Sequence, residues 1–187
     1  MLADEVRKAV EVMRKGGVIL YPTDTIWGIG CDATNEAAVR KVFEIKRREE
    51  AKSMISLVDS SDRLSRYVRN VPDVAWDMIE MATKPLTVIL DNVAGLAPNM
   101  IAEDGSAAFR VTSEEFSHEL CFRFQKPVVS TSANISGEPT AKTFDAISDE
   151  IKNAVDYVVK YSQRCKEKHE PSSIIKISEN SEIKIIR

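Results

Sequence analysis

Apolar residues recur along this chain with two different periods. Between Ala3 and Lys15, Val6, Val10 and Met13 stand three or four residues apart among charges. That is the spacing of one helical face, and Gly16-Gly17 ends it. Val18-Ile19-Leu20-Tyr21 is instead a continuous apolar run stopped by Pro22, which predicts a buried strand entering a loop. From Glu36 to Arg48 the helical period returns, with Val39, Val42, Phe43 and Lys46 on one stripe behind Asn35 as N-cap. Lys46 therefore continues an apolar face.

Met54 to Val58 reads as a further strand, followed by helical stretches around Leu64–Val68 and Val74–Met81. Strand composition marks Leu86–Leu90, Ala107–Thr112 and Pro127–Val129, with a helix over Glu115–Phe124 before the last of them. Asp156–Lys160, Ser173–Ile177 and Glu182–Ile186 read as closing strands, and the charged loop Ser162–Glu170 is expected to be mobile. The alternation predicts an α/β fold in one domain, residues 1–187. Its open sheet should be mixed, because several links are too short for a crossover helix, and it should bind ligands at strand ends.

Composition changes this picture little. At 43% hydrophobic and 29% charged residues the chain resembles ordinary globular protein, and a net charge of -3 gives no general attraction to phosphate backbones. No apolar run approaches the ~20 residues that cross a bilayer, and the N-terminus is charged at once, so a cytoplasmic location without membrane contact is expected. Cys31, Cys121 and Cys165 are too widely spaced for a zinc site or a disulfide framework and are expected to be reduced thiols.

Four polar clusters could carry chemistry. Pro22-Thr23-Asp24-Thr25, with Gly28, Gly30 and Asp32, could fix a small zwitterion, or could simply be a capped turn. Lys46-Arg47-Arg48 with Lys52 complements a helix C-terminus, yet an ammonium on a buried stripe has a reason to meet an anion. Arg110 alternates with Ala108 and Thr112 on one strand face, where its fork could hold a carboxylate or phosphate, or could face water. Ser130-Thr131-Ser132-Ala133-Asn134-Ile135-Ser136-Gly137 offers more hydroxyls than a turn needs, and these suit phosphate or carboxylate oxygens. His118 and His169 have no ligand pairing, and the phosphate loop of P-loop ATPases and the nucleophile elbow of serine hydrolases are both missing.

Taken in order, Tyr21-Pro22-Thr23-Asp24-Thr25 with Gly28-Ile29-Gly30, then Lys46-x-Arg48-x-x-x-Lys52, resemble the opening signature of the YrdC-like threonylcarbamoyl-AMP synthase family. The resemblance continues through Pro85–Leu90, Phe109-Arg110-Val111, Ser130–Asn134 and Pro171-Ser172-Ser173-Ile174, roughly residues 15–177. It implies a twisted open mixed sheet flanked by helices, with a concave basic cleft. It also implies synthesis of L-threonylcarbamoyladenylate and pyrophosphate from L-threonine, bicarbonate and ATP with Mg2+, for a partner complex that modifies tRNA. By the same resemblance Lys46, Arg48, Lys52, Ser106, Ser132, Asn134 and Thr140 face ATP, with Lys46 and Arg48 as the catalytic pair. Thr25, Arg110 and Ser130 hold threonine, and Ser172 closes the nucleotide side.

The chain departs from the family pattern at Ser53-Met54, in place of a Pro-Leu pair, and at Leu57, in place of a histidine near threonine. Its 162–169 segment is also more charged than a glycine-rich lid. Two other readings compete: a module that only binds RNA, against which the net acidity argues, and the carbamoyl-adenylate chemistry of the related domain in hydrogenase-maturation proteins. A weak affinity for RNA is also compatible with the resemblance.

Overall fold

The computed structural model describes residues 1–49, 54–163 and 171–187. The expectations placed on Lys52, Ser53, Cys165 and most of the 162–170 loop therefore lie outside the described residues. Nine strands form one sheet in the order β7-β1-β2-β6-β3-β5-β4-β8-β9. They are β1 (Ile19–Tyr21), β2 (Gly28–Gly30), β3 (Ile55–Val58), β4 (Leu86–Leu90), β5 (Ala107–Val111), β6 (Val128–Ser132), β7 (Tyr157–Val158), β8 (Ser173–Ile177) and β9 (Ile183–Ile185). Parallel pairs β1–β7, β3–β5 and β4–β8 alternate with antiparallel ones, so the sheet is mixed as expected.

Among the described residues five α-helices accompany it: α1 (Leu2–Arg14), α2 (Glu36–Lys46), α3 (Asp73–Met81), α4 (Glu115–Phe124) and α5 (Asp149–Ala154). The stripe Val6, Val10 and Met13 of α1 is buried, and α1 packs on α4 and β1. Glu5 joins this layer to β7: its carboxylate accepts from the Tyr157 hydroxyl at 2.7 Å and the Lys160 amide at 2.8 Å. Asn35 caps α2 by accepting from the Ala38 amide, and Arg47 ends it in the left-handed region at φ 50°. This turn takes Arg48 off the helix axis.

Several expectations change. The stretch around Leu64 is a 3-10 turn, Ser61–Arg66, rather than an α-helix, and Val68 beyond it bridges to Val93. α5 was not expected, and neither was β2. Gly30 in β2 sits where a Cβ would lie 2.4 Å from the Val129 carbonyl oxygen and 2.5 Å from the Tyr21 ring, so only glycine lets these strands close under the tyrosine. The Tyr21 hydroxyl then donates to the Val129 carbonyl at 2.9 Å. Cys31 and Cys121 are buried free thiols, and burial pushes both up from the ordinary thiol range. Among the described residues no helix is long and apolar enough to cross a membrane.

Candidate active site

One face of the sheet carries a cavity of about 420 Å3. Residues directly opposite one another on paired strands share a face. Register therefore sets Ser130 of β6 beside Ile55 of β3, and Arg110 of β5 beside Thr87 of β4, which in turn neighbours Ile174 of β8. Thr25 from the β1–β2 loop, Gly28 of β2 and the Ser130–Ser132 end of β6 form one wall of the cavity. Arg48, Thr140 and Lys142 reach it from the segments after α2 and β6, and Ser172 and Arg187 close the side of β8. The cavity thus lies along the sheet face and is not confined to the strand ends.

Seven of the residues singled out in the sequence meet here: Thr25, Arg48, Arg110, Ser130, Ser132, Thr140 and Ser172. Arg110 is 3% exposed, and its guanidinium lies 2.9 Å from the Asp24 carboxylate. The guanidinium also donates to the Thr25 hydroxyl at 3.3 Å, while its Nε has no hydrogen-bond partner among the described residues. A buried donor left without a partner costs about 1–3 kcal/mol, so an acceptor reaching this Nε would be favoured. Ser172 is 2% exposed, and its hydroxyl is hydrogen-bonded to the Thr87 hydroxyl at 2.8 Å.

Three expected members stand outside the lining. Ser106 donates its hydroxyl to Asp104 at 2.6 Å, and Asp104 in turn accepts from Lys176 at 2.7 Å, so it belongs to a surface ion-pair network at the start of β5. Asn134 turns its amide nitrogen to the carbonyls of Ile135 and Glu138, at 3.1 and 2.8 Å. Lys46 is 2% exposed, and its ammonium donates to the carbonyls of Ser132 and Asn134 at 2.6 and 2.8 Å. Burial, and secondarily the charge of Arg48, bring Lys46 down from the ordinary lysine value to about 8. The stripe that placed Lys46 inside was read correctly; its partners are backbone oxygens on β6 and the following turn.

Sequence reasoning missed two cations that line the cavity. Lys142 follows the hydroxyl-rich stretch by five residues, a signal available from its spacing to Thr140. Arg187 donates to the Ser172 carbonyl at 3.3 Å from Nε and 3.1 Å from a terminal nitrogen, and only the β8–β9 hairpin brings it there. Leu57 is Arg110's neighbour in register but is fully buried and does not line the cavity.

The Sua5_yciO_yrdC family model, described as "Telomere recombination", matches residues 11–187. A threonylcarbamoyl-AMP synthase of Xanthomonas euvesicatoria is 36% identical over 159 residues, covering 83% of this chain and 84% of that protein. One of Vibrio cholerae is 32% identical over 177 residues, covering 92% and 93%. Among solved structures, P. abyssi Sua5 complexed with L-threonine superposes with a TM-score of 0.80 at 24% identity over 91% of this chain, a likeness of fold. This chain spans 50% of the length of that one.

Proposed function

The chain belongs to the Sua5/YciO/YrdC family, and on that premise we propose that it makes L-threonylcarbamoyladenylate and pyrophosphate from L-threonine, bicarbonate and ATP. The observation that carries this reading is the buried Arg110 guanidinium, whose Nε has no partner among the described residues, in a cavity also lined by Arg48, Lys142, Arg187 and a row of hydroxyls. Such a lining offers cations and neutral donors to a carboxylate and to phosphates together.

In this reading Arg110, Thr25 and Ser130 hold threonine by its carboxylate and hydroxyl. Arg48, Ser132 and Thr140 face the nucleotide. Bicarbonate takes up a proton and loses water to give CO2, and the threonine amine forms an N–C bond to that carbon and gives up a proton, leaving a carbamate. One carbamate oxygen then attacks the α-phosphorus, an O–P bond forms, and the bond to the leaving pyrophosphate breaks. The protein positions the reactants, neutralises charge developing on the phosphates and excludes water from the labile carbamate. Magnesium would enter as part of the Mg·ATP substrate. The product would pass to a tRNA-modifying transferase complex in the cytoplasm.

Incubating the purified chain with Mg·ATP, bicarbonate and threonine should yield the adenylate by mass spectrometry, with pyrophosphate release that requires threonine. Release independent of threonine would sink the proposal. Salt-sensitive tRNA binding without turnover would favour the RNA-binding reading instead.

A further inference from the structure

We propose that Lys46 is a positioning residue, whose buried ammonium anchors the Ser132–Asn134 turn beneath the cavity and does not itself touch the nucleotide. An ammonium has three N–H donors. The carbonyls of Ser132 and Asn134 take two of them, at 2.6 and 2.8 Å, and among the described residues the third has only the Ser132 hydroxyl, at 3.5 Å. The backbone carbonyl of Lys46 meanwhile accepts from the Ser136 amide at 2.9 Å. Both ends of one residue thus grip the same five-residue stretch.

The grip is passed on. Asn134 donates to the Ile135 and Glu138 carbonyls, at the start of the segment that brings Thr140 and Lys142 to the cavity. A phosphate could take only the third N–H without displacing the Ser132 or Asn134 carbonyl, and Lys46 is not among the residues that line the cavity. Arg48, two residues on and past the left-handed turn at Arg47, lines the cavity and is placed for a direct contact. The division of labour is then one cation holding the wall and its neighbour facing the ligand. The anchoring stands on geometry alone; its effect on ATP rests on the function proposed above.

The test begins with the ligand-free protein. In Lys46→Met, amide hydrogen exchange over residues 132–138 is expected to accelerate at least tenfold, with partial recovery in Lys46→Arg, which can still donate to carbonyls. In the wild type, the ammonium resonance of Lys46, assigned by its loss in Lys46→Arg, should exchange slowly and stay in place on addition of a non-hydrolysable Mg·ATP analogue. The KM for ATP should rise about tenfold in Lys46→Met, with the KM for threonine within twofold of wild type. Unchanged exchange over 132–138, or an ammonium resonance that shifts with the nucleotide, overturns the proposal. If Lys46→Met does not fold, the wild-type resonance decides alone. A wild type that makes no adenylate but shows the exchange pattern would refute the proposed function and leave the anchor standing.

Discussion

The Arg110 guanidinium lies 2.9 Å from the Asp24 carboxylate, and both side chains are under a tenth exposed. The pair ties the β1–β2 loop to β5 across three intervening strands, β2, β6 and β3. Breaking a buried pair from one side leaves an uncompensated charge, at a cost of about 3–5 kcal/mol. Asp24→Asn should therefore lower the unfolding free energy by about 3 kcal/mol in urea titration. It should also raise the KM for threonine at least tenfold, because the loop carrying Thr25 loses its tie. An unchanged urea midpoint would show that the pair contributes nothing to the fold.

Gly30→Ala tests the close approach of β2 to Tyr21. The added methyl would meet the Val129 carbonyl oxygen at 2.4 Å, a backbone atom that cannot swing aside. Overpacking of this kind costs about 1–3 kcal/mol. The variant should melt lower, whereas Gly137→Ala, with open space around its Cβ, should suffer only from its φ of 87°.

These glycines also explain what the sequence hides. The stripes of α1 and α2 were legible because helical spacing is a local property, and each long stripe is repeated over several turns. Gly28 and Gly30 are poor strand formers on either side of Ile29, and the strand character comes from partners such as Thr131 and Ser132, about a hundred residues later. The same pairing turns Ser130–Ser132, read as loop, into the end of β6. α5 buries only Ile151, so it has no stripe to reveal it, although Ser148 caps it. Of the site, Thr25, Arg110 and the β6 hydroxyls could be read by residue type. Arg187 could not, because its place depends on the register of the β8–β9 hairpin.

The segment that delivers Thr140 and Lys142 is held at its far end by Phe144. Its ring lies 4.8 Å from that of Trp27, and the Lys152 ammonium lies 5.0 Å from the Phe144 ring centroid. Such an aromatic pair contributes about 0.5–1.5 kcal/mol beyond area burial. Phe144→Ala should red-shift the emission of Trp27, which is 7% exposed, and raise the KM for ATP more than that for threonine. Equal rises in both would point to general loosening.

Asp104 supplies a pH signature away from the cavity. Its hydrogen bond from Lys176 comes first, then those from the Ser106 hydroxyl and amide, and together they hold the carboxyl down at about 2. A depressed carboxylate contributes stability that is present above its unfolded value of about 4 and is lost as pH falls toward 2. Carboxyl NMR titration should find this group ionised at pH 3. Lys176→Met should bring it back toward the ordinary range, with a smaller rise in Ser106→Ala.

The strand order has a consequence for the growing chain. β6, residues 128–132, lies between β2 and β3, so the β1–β2 hairpin and the strands that follow it have no direct join until β6 has been made. A nascent chain that ends before Val128 therefore holds two half-sheets with open inner edges, the kind of surface that pairs with neighbours. Closure waits for contacts far apart in the chain, which slows folding. Because the cavity takes residues from both halves, a chain released before Val128 would carry the exposed edges without the site they are meant to frame.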